Sequence, residues 1–414
     1  MSGKIKLNSA SGGGSVSIQA PSSESNNRTL TLPSDADGTI VSKDASNNVA
    51  EVASINGGSI GTKNLIINGA MQVAQRGTSN TTNGYGTVDR IRSLFGGTDE
   101  DVTQAQVDVA SGTTPYTLGF RKAFKMTNGN QTSGVGTNDN IHIQIKLEAH
   151  DIPNSGWNYT STSSFVTFSF WCKSSVAQNF YGYLRSIDGT GQVYPFETGS
   201  LSADTWTKVT KTIPGNSNLQ FDNDNGEGVQ IVPVAPFFGT AFTDSSVSLN
   251  AWGAYSSSAR MPDYTSTWYT TNDATFEITG IQLEVGSVAT DFEHRSFGQE
   301  LALCQRYYYQ PIPTGLSSIL PSILNMSQYN ASTAYGHIPM PVEMRTNPSL
   351  DQATGTDYYR IFGNNSYTAV TSFSLNRAYK TGCELACTST RGQASSCWVR
   401  VNADAAKLAF SAEL

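Results

Sequence analysis

Along most of the chain hydrophobic and polar residues alternate, at the period of two that turns one face of a β-strand toward a core. In "IHIQIKLEAH" the alternation predicts Ile141, Ile143, Ile145 and Leu147 facing inward, with His142, Gln144, Lys146 and Glu148 facing solvent. "VTFSFWCK" likewise places Val166, Phe168, Phe170 and Cys172 on a buried face and turns Trp171 out. Turn pairs punctuate the pattern at Asp188-Gly189, Pro214-Gly215 and Asn225-Gly226. Strands of this kind predict antiparallel sheets packed as a sandwich, with one buried face per sheet.

The phase slips once, in "TFEITGIQLEV". Phe276 and Ile278 share one parity, while Ile281, Leu283 and Val285 share the other. A β-bulge at Gly280 would let both sets face the core. Glu284 then falls in the outward phase and is expected to be solvated at a strand edge. Ser296 followed by Gln299 forms a capping-box pattern, and Leu301, Cys304 and Tyr308 have helical spacing, which predicts one short helix over 298–310 linking two domains. Beyond it alternation resumes, ending in "KLAFSAEL" with Leu408, Phe410 and Leu414 on one face. Pro339, Pro341 and Pro348 confine their neighbourhood to an edge or an irregular run. No heptad pattern is present, so an oligomer would not rest on a coiled coil.

Residues 1–62 carry few large apolar groups. "RTLTLPSDADGTIVSKD" reads as a hairpin with Leu30 and Leu32 in one strand, Asp37-Gly38 at the turn, and Ile40 and Val41 in the other. So little apolar surface does not order a segment of this length alone, yet "VSIQA" and "TLTL" alternate cleanly. The expectation is a β segment ordered by other copies or by a docking partner.

Composition sharpens this picture. Charged residues are 14% of the 414, against ~25% in an average soluble protein. Ser, Thr, Asn and the 38 Gly fill the gap, which favours strands and turns over helices. A net charge of −7 without a basic run argues against a nucleic-acid partner. The first twenty residues lack the apolar region of a signal peptide and no apolar run of membrane-spanning length occurs, so folding in a cytoplasm is expected and membrane insertion is not.

Candidate chemistry is sparse. Glu284, Asp291, Glu293 and His294 crowd into "GIQLEVGSVATDFEHRS", a mixture that acid–base catalysis would use, but a carboxylate pair needs a separation and a burial that sequence does not display, and no serine elbow accompanies His294. Glu284 is read as an exposed residue of the last sandwich strand, with Asp291 and Glu293 in the loop that follows, and no catalytic residue is assigned. Cys383, Cys387 and Cys397 have the spacing C-x3-C-x9-C, yet Cys383 shares a strand parity with Leu385 and Cys387, and Cys397 with Val399 and Val401. All five cysteines, Cys172 and Cys304 included, are therefore read as buried, reduced and metal-free. "FDNDNGEG" fails as an EF-hand, because Pro233 stands where the bidentate Glu belongs. No cofactor is expected, and a structural Ca²⁺ elsewhere in the sandwich stays open. The candidate ligand-contacting residues are Trp252, Tyr255, Tyr264, Trp268 and Tyr269, set among Ser, Thr, Gly and Asn in residues 249–273. Rings so placed can stack on sugar faces. The alternative is that they pack under their own loop or into a subunit interface.

"NLIINGAMQVAQRG", "TVDRIRS", "FVTFSFWCKSS", "TWTKVTKTIPG" and "FEITGIQLEVGSVATDFEHRSFGQELALCQRYYYQ", in this order over residues 64–310, resemble the jelly-roll domain of tail-fibre and related receptor-binding proteins of tailed bacteriophages. Ile91 departs from that pattern, where a Trp is frequent. The resemblance implies an all-β protein: an N-terminal attachment segment (1–62), a jelly-roll sandwich akin to carbohydrate-binding modules (63–297), the helix (298–310) and a C-terminal β domain (311–414). It further implies a homotrimer in a virion, joined to other phage proteins through its N-terminal segment and adsorbing to a host-surface glycan. The rivals are an architectural capsid fibre or tail spacer, and a polysaccharide-cleaving tailspike.

Overall fold

The computed structural model describes residues 63–363, 365–389 and 395–414, together with the backbone of four short strands ahead of them, Lys4–Asn8, Ser15–Gln19, Ser54–Ile55 and Gly58–Ser59. The chain divides into two compact units, Met1–Val52 and Ala53–Leu414. In the first, Lys4–Asn8 pairs antiparallel with Ser15–Gln19, the strand expected from "VSIQA". The hairpin expected over 28–44 lies outside the described residues.

The second unit is nearly all β. One six-stranded sheet runs, in spatial order, Thr207–Pro214, Phe165–Ser174, Thr275–Val285, Lys122–Thr127, Thr103–Asp108 and Ser79–Asn80. Facing it, a seven-stranded sheet is built on Asn140–Glu148, which pairs with Phe237–Phe238, Arg92–Gly96 and Glu227–Ala235; beyond the last follow Asn179–Ser186, Gln192–Ser200 and Gly253–Ala254. Every pairing is antiparallel, and strands close in sequence cross from sheet to sheet, which is a jelly-roll sandwich. Its core takes Ile141, Ile143, Ile145 and Leu147 from one side and Val166, Phe168, Phe170 and Cys172 from the other, as the alternation required. The bulge is also where the sequence puts it. Ser169 pairs with Gln282 and Trp171 with Thr279, so Gly280 and Ile281 together stand opposite Phe170. Gly280 has φ +62, and a Cβ there would lie 2.6 Å from the Phe120 ring.

The expectation of one buried face per sheet fails for this sandwich. Tyr183, Val193, Val232, Phe238 and Met261 form a second cluster on the back of the seven-stranded sheet, where the segment after Phe238 wraps it. Ala70, Val109, Phe120 and Ala123 form another on the back of the six-stranded sheet, with Trp171 and Phe292 half-buried against it. His142, Gln144 and Glu148, expected to face solvent, are buried as well. His142 packs 4.8 Å from the Phe238 ring, Gln144 accepts from Arg92, and Glu148 is capped by Arg306 and Tyr307.

The linking helix is Phe297–Gln305, with the Ser296–Gln299 capping box formed and Cys304 buried. It ends earlier than its apolar spacing suggested, because Tyr308–Ile312 pairs as a strand with Leu408–Ser411. That pair and Ser349–Gln352 make a three-stranded sheet. Packed with it is a seven-stranded sheet in the order Ser366–Val370, Tyr359–Gly363, Ser396–Val401, Ser322–Gln328, Thr333–Pro339, Gly382–Thr388 and Ser374–Tyr379. Cys383, Leu385, Cys387, Cys397, Val399, Val401, Leu408 and Phe410 all enter the core between the two, whereas Leu414 is only half-buried. All five cysteines are free of disulfides and buried. Burial pushes the Cys172 and Cys387 thiols up to about 12.

Candidate functional site

The acidic window that closes the sandwich is a structural clasp. Glu284, expected on a solvated edge, is 2% exposed in a central strand. Its carboxylate accepts from Thr290 N at 2.9 Å, Thr290 Oγ1 at 2.6 Å and Gln282 Nε2 at 2.9 Å. The reason is that residues 286–294 fold back over the outer face of their own sheet. Glu293 accepts from the backbone N–H groups of Lys63 and Asn64 at 2.7 and 2.6 Å, Arg295 donates to Asn64 O and Ile66 O, and His294 Nε2 meets Leu118 O. The window therefore ties the first residues of the sandwich to the last.

Residues of "NLIINGAMQVAQRG" and "TVDRIRS" join the sandwich to the C-terminal domain. Asn68 and Arg90 adopt positive φ, of 60 and 68. Asn68 N donates to Glu300 Oε1, and Asn68 Nδ2 to the carbonyls of Val73 and Asp89. The Arg90 guanidinium is buried 3.5 Å over the Tyr307 ring, paired with Glu413 and donating to Lys146 O. Arg76 lies 3.5 Å over Tyr308 and bridges Asp89 and Glu413. Burial pushes the Asp89 carboxyl up to about 6 despite Arg76 beside it. Burial opposes ionisation of Glu148 too, but hydrogen bonds from Arg306 and Tyr307 hold its carboxyl below the ordinary value.

The five candidate rings of residues 249–273 do not converge on a surface. Trp268 is 0% exposed with Nε1 donating to Thr275 O, and Tyr269 stacks on Phe237 at 4.4 Å and donates to Asp139. Both belong to the core, which corrects their reading as ligand contacts. Trp252 is half-buried, donating to Pro214 O beside Tyr194. Tyr264 donates to Tyr181 O, and Tyr255 lies under the Arg185 guanidinium at 3.5 Å. These last two pack on the cluster behind the seven-stranded sheet.

Apart from Phe297 on the linking helix, the large exposed rings of the described residues lie at the seven-stranded C-terminal sheet. Inward positions there, such as Leu324, Met326, Tyr359, Ile361, Cys397 and Val399, fill the core. Positions of the opposite parity therefore point out: Phe362, Trp398, Arg400, Tyr335, His337 and Glu384. No apolar cluster of the described residues covers this face. Tyr329 is 64% exposed and Tyr367 52%, with Trp398 and Tyr379 also exposed. Two shallow hollows lie on it. One, of about 330 Å³, holds Trp398 stacked on Phe362 at 6.0 Å and 11°, Tyr367 at 5.6 Å from Phe362, and Arg400 over Phe362 at 4.8 Å. The other, of about 610 Å³, holds Tyr329, Tyr335, Gln328, Asn376, Arg377 and Glu384. At ~4.8 Å between strands the face is roughly 29 Å across, room for several sugar units. Planar rings beside amide, guanidinium and carboxylate groups match a glycan's apolar ring faces and hydroxyls. The clue was present in "SCWVRV", where Trp398 and Arg400 have the parity opposite to Cys397 and Val399.

No family model matches this chain, and no curated protein matches it. Among solved structures it is similar to the enzymatically active domain of tailspike protein 4 of bacteriophage CBA120, at 9% identity and TM-score 0.28 over 54% of this chain and 21% of that one. It is also similar to the CBM22-1 xylan-binding domain of Paenibacillus barcinonensis Xyn10C, at 9% identity and TM-score 0.24 over 51% and 94% of the two chains. A family 11 carbohydrate-binding module of Clostridium thermocellum gives 14% identity and TM-score 0.23 over 51% and 98%. The sandwich assignment stands on the strand order itself.

Proposed function

We propose that this chain is a structural protein of a tailed-phage virion, of the tail-fibre type, whose C-terminal sheet meets a host-surface glycan while the jelly roll carries it. The observation behind this reading is the ring-bearing outer face of that sheet, which no apolar cluster of the described residues covers, in a chain that covers the backs of its other large sheets. The sequence resemblance over residues 64–310 supplies the virion context. In the same reading the chain is a homotrimer and residues 1–62 dock to other virion proteins. A shallow sugar site binds at around millimolar Kd. Three copies on a repetitive surface raise avidity by ~10²–10⁴ without a new contact.

Adsorption of the full-length protein to host cells tests this, with Trp398→Ala and Tyr329→Ala as variants. Both are expected to lose most adsorption, and unchanged adsorption by both would remove the face as receptor site. Mass in solution is expected to give three chains; a stable monomer at micromolar concentration would remove the fibre reading. The exposed rings also suit contacts between copies in a purely architectural fibre, in which case the same variants would lower the mass and leave adsorption unchanged. Release of reducing ends from host polysaccharide would replace adsorption with cleavage.

A further inference from the structure

Among the described residues, the smaller hollow on the C-terminal sheet holds a cation with no carboxylate partner. Arg360 and Arg400 stand directly opposite each other on neighbouring strands, both on the outer face. Like charges in that register destabilise a sheet unless something offsets them. Asp357 offsets only one: its carboxylate takes Arg360 Nε at 2.9 Å and also accepts from Asn402. Arg400 has no carboxylate partner among the described residues, and its buried Nε has no acceptor there. No acidic side chain among the described residues lines the hollow, whose one charged residue is Arg400, lying against Phe362 and Trp398. The chain as a whole is acidic, at −7, so this local excess of positive charge runs against its overall balance.

We propose that this hollow takes a carboxylate-bearing sugar residue, its ring lying on Trp398 and Tyr367 and its carboxylate on the Arg400 guanidinium. The inference rests on the reading of this face as a glycan site and names the class of sugar. The Arg400 guanidinium lies beside the Phe362 and Trp398 rings, and its terminal N–H groups are the donors that would fit a carboxylate with two parallel hydrogen bonds. Stacking alone would accept any pyranose, so the charge supplies the selectivity. Arg400 is half-buried against Phe362 and Trp398, which also limits the side-chain entropy lost on binding.

Calorimetric titration of the full chain with the methyl glycosides of glucuronic and galacturonic acid, and with their neutral hexoside parents, tests this. One uronoside is expected to bind at least about tenfold tighter than its parent, a difference eroded by added salt. Arg400→Gln is expected to abolish that preference, and Arg400→Lys, which keeps the charge but not the fork, to keep part of it. Should either variant fail to fold, the salt dependence of the unmodified protein tests the same charge contact. Uronosides that bind no tighter than their parents, while Trp398→Ala weakens both, would overturn the acidic-sugar assignment and leave the glycan reading standing. No sugar binding, together with normal cell adsorption by Trp398→Ala, would overturn both. A preference for a sulfated hexoside over both uronosides would also overturn the carboxylate assignment.

Discussion

The two large sheets of the jelly roll and the large sheet of the C-terminal domain come from the same alternating pattern, yet they differ in what lies on their backs. Behind the jelly-roll sheets sit further apolar clusters, built by the segment after Phe238 and by the 286–294 flap. Behind the C-terminal sheet no apolar cluster of the described residues lies, and Tyr329, Tyr367 and Trp398 are exposed. Alternation identifies the two faces of a strand and is silent on whether a later segment will cover the second one. Ring-rich sequence in polar company is therefore ambiguous: residues 249–273 wrap and fill, whereas the rings of the C-terminal sheet are displayed.

The largest expected effect belongs to the covered region. Trp268→Ala removes a fully buried indole and its bond to Thr275 O. It is expected to cost ~3–5 kcal/mol in chemical denaturation while sugar affinity of the surviving folded protein stays unchanged. Stability within error of wild type would show that the segment is not core. Next is Glu284→Ala, which strands three donors, two on Thr290 and one on Gln282, with a loss of about 2–3 kcal/mol. A truly solvated edge carboxylate would show almost none.

These residues show what the sequence discloses. The inward faces of Phe165–Ser174 and Asn140–Glu148, the bulge at Gly280, the capping box and the C-terminal cysteines in strands were all legible, because each depends on local period or on one residue's conformational freedom. Glu148 and Trp268 were misjudged because distant partners decide their burial, Arg306 for Glu148 about 160 residues on and Gln178 for Trp268, and Glu284 because the 286–294 segment folds back over its own strand. The joint was hidden for the same reason: Arg90 and Glu413 meet only once both domains have folded.

A smaller effect should appear in the pH dependence of that joint. Asp89 has its carboxyl raised to about 6 from the ordinary 3.8. The folded state therefore holds this proton where the unfolded chain has lost it, and the group's contribution to stability falls as pH rises from about 4 to about 6. Glu148, held below its ordinary value, acts in the opposite sense, losing its contribution as pH falls through its folded pKa. Comparing wild type with Asp89→Asn isolates the first: the difference in stability should shift across pH 4 to 6 in favour of the variant as pH rises. A difference independent of pH would mean that Asp89 is ionised throughout.

The smallest effect on stability, and the sharpest contrast with Trp268, is expected for Trp398→Ala. Its ring lies on Phe362 and under Arg400, with solvent on the far side. Truncation leaves no cavity in the core, because Cys397 and Val399 on either side face inward and are untouched. The melting curve should then move by no more than about 0.5 kcal/mol equivalent, and its small shift should match that of Tyr367→Ala. Binding should behave oppositely, because the exposed part of the ring is what the proposed glycan would meet. If the sheet face is instead covered by another copy of the chain, Trp398→Ala would lower the assembled mass and make melting depend on protein concentration, since association stabilises by mass action. Melting curves at two concentrations, recorded beside the adsorption assay on the same variant, therefore separate a displayed face from a paired one.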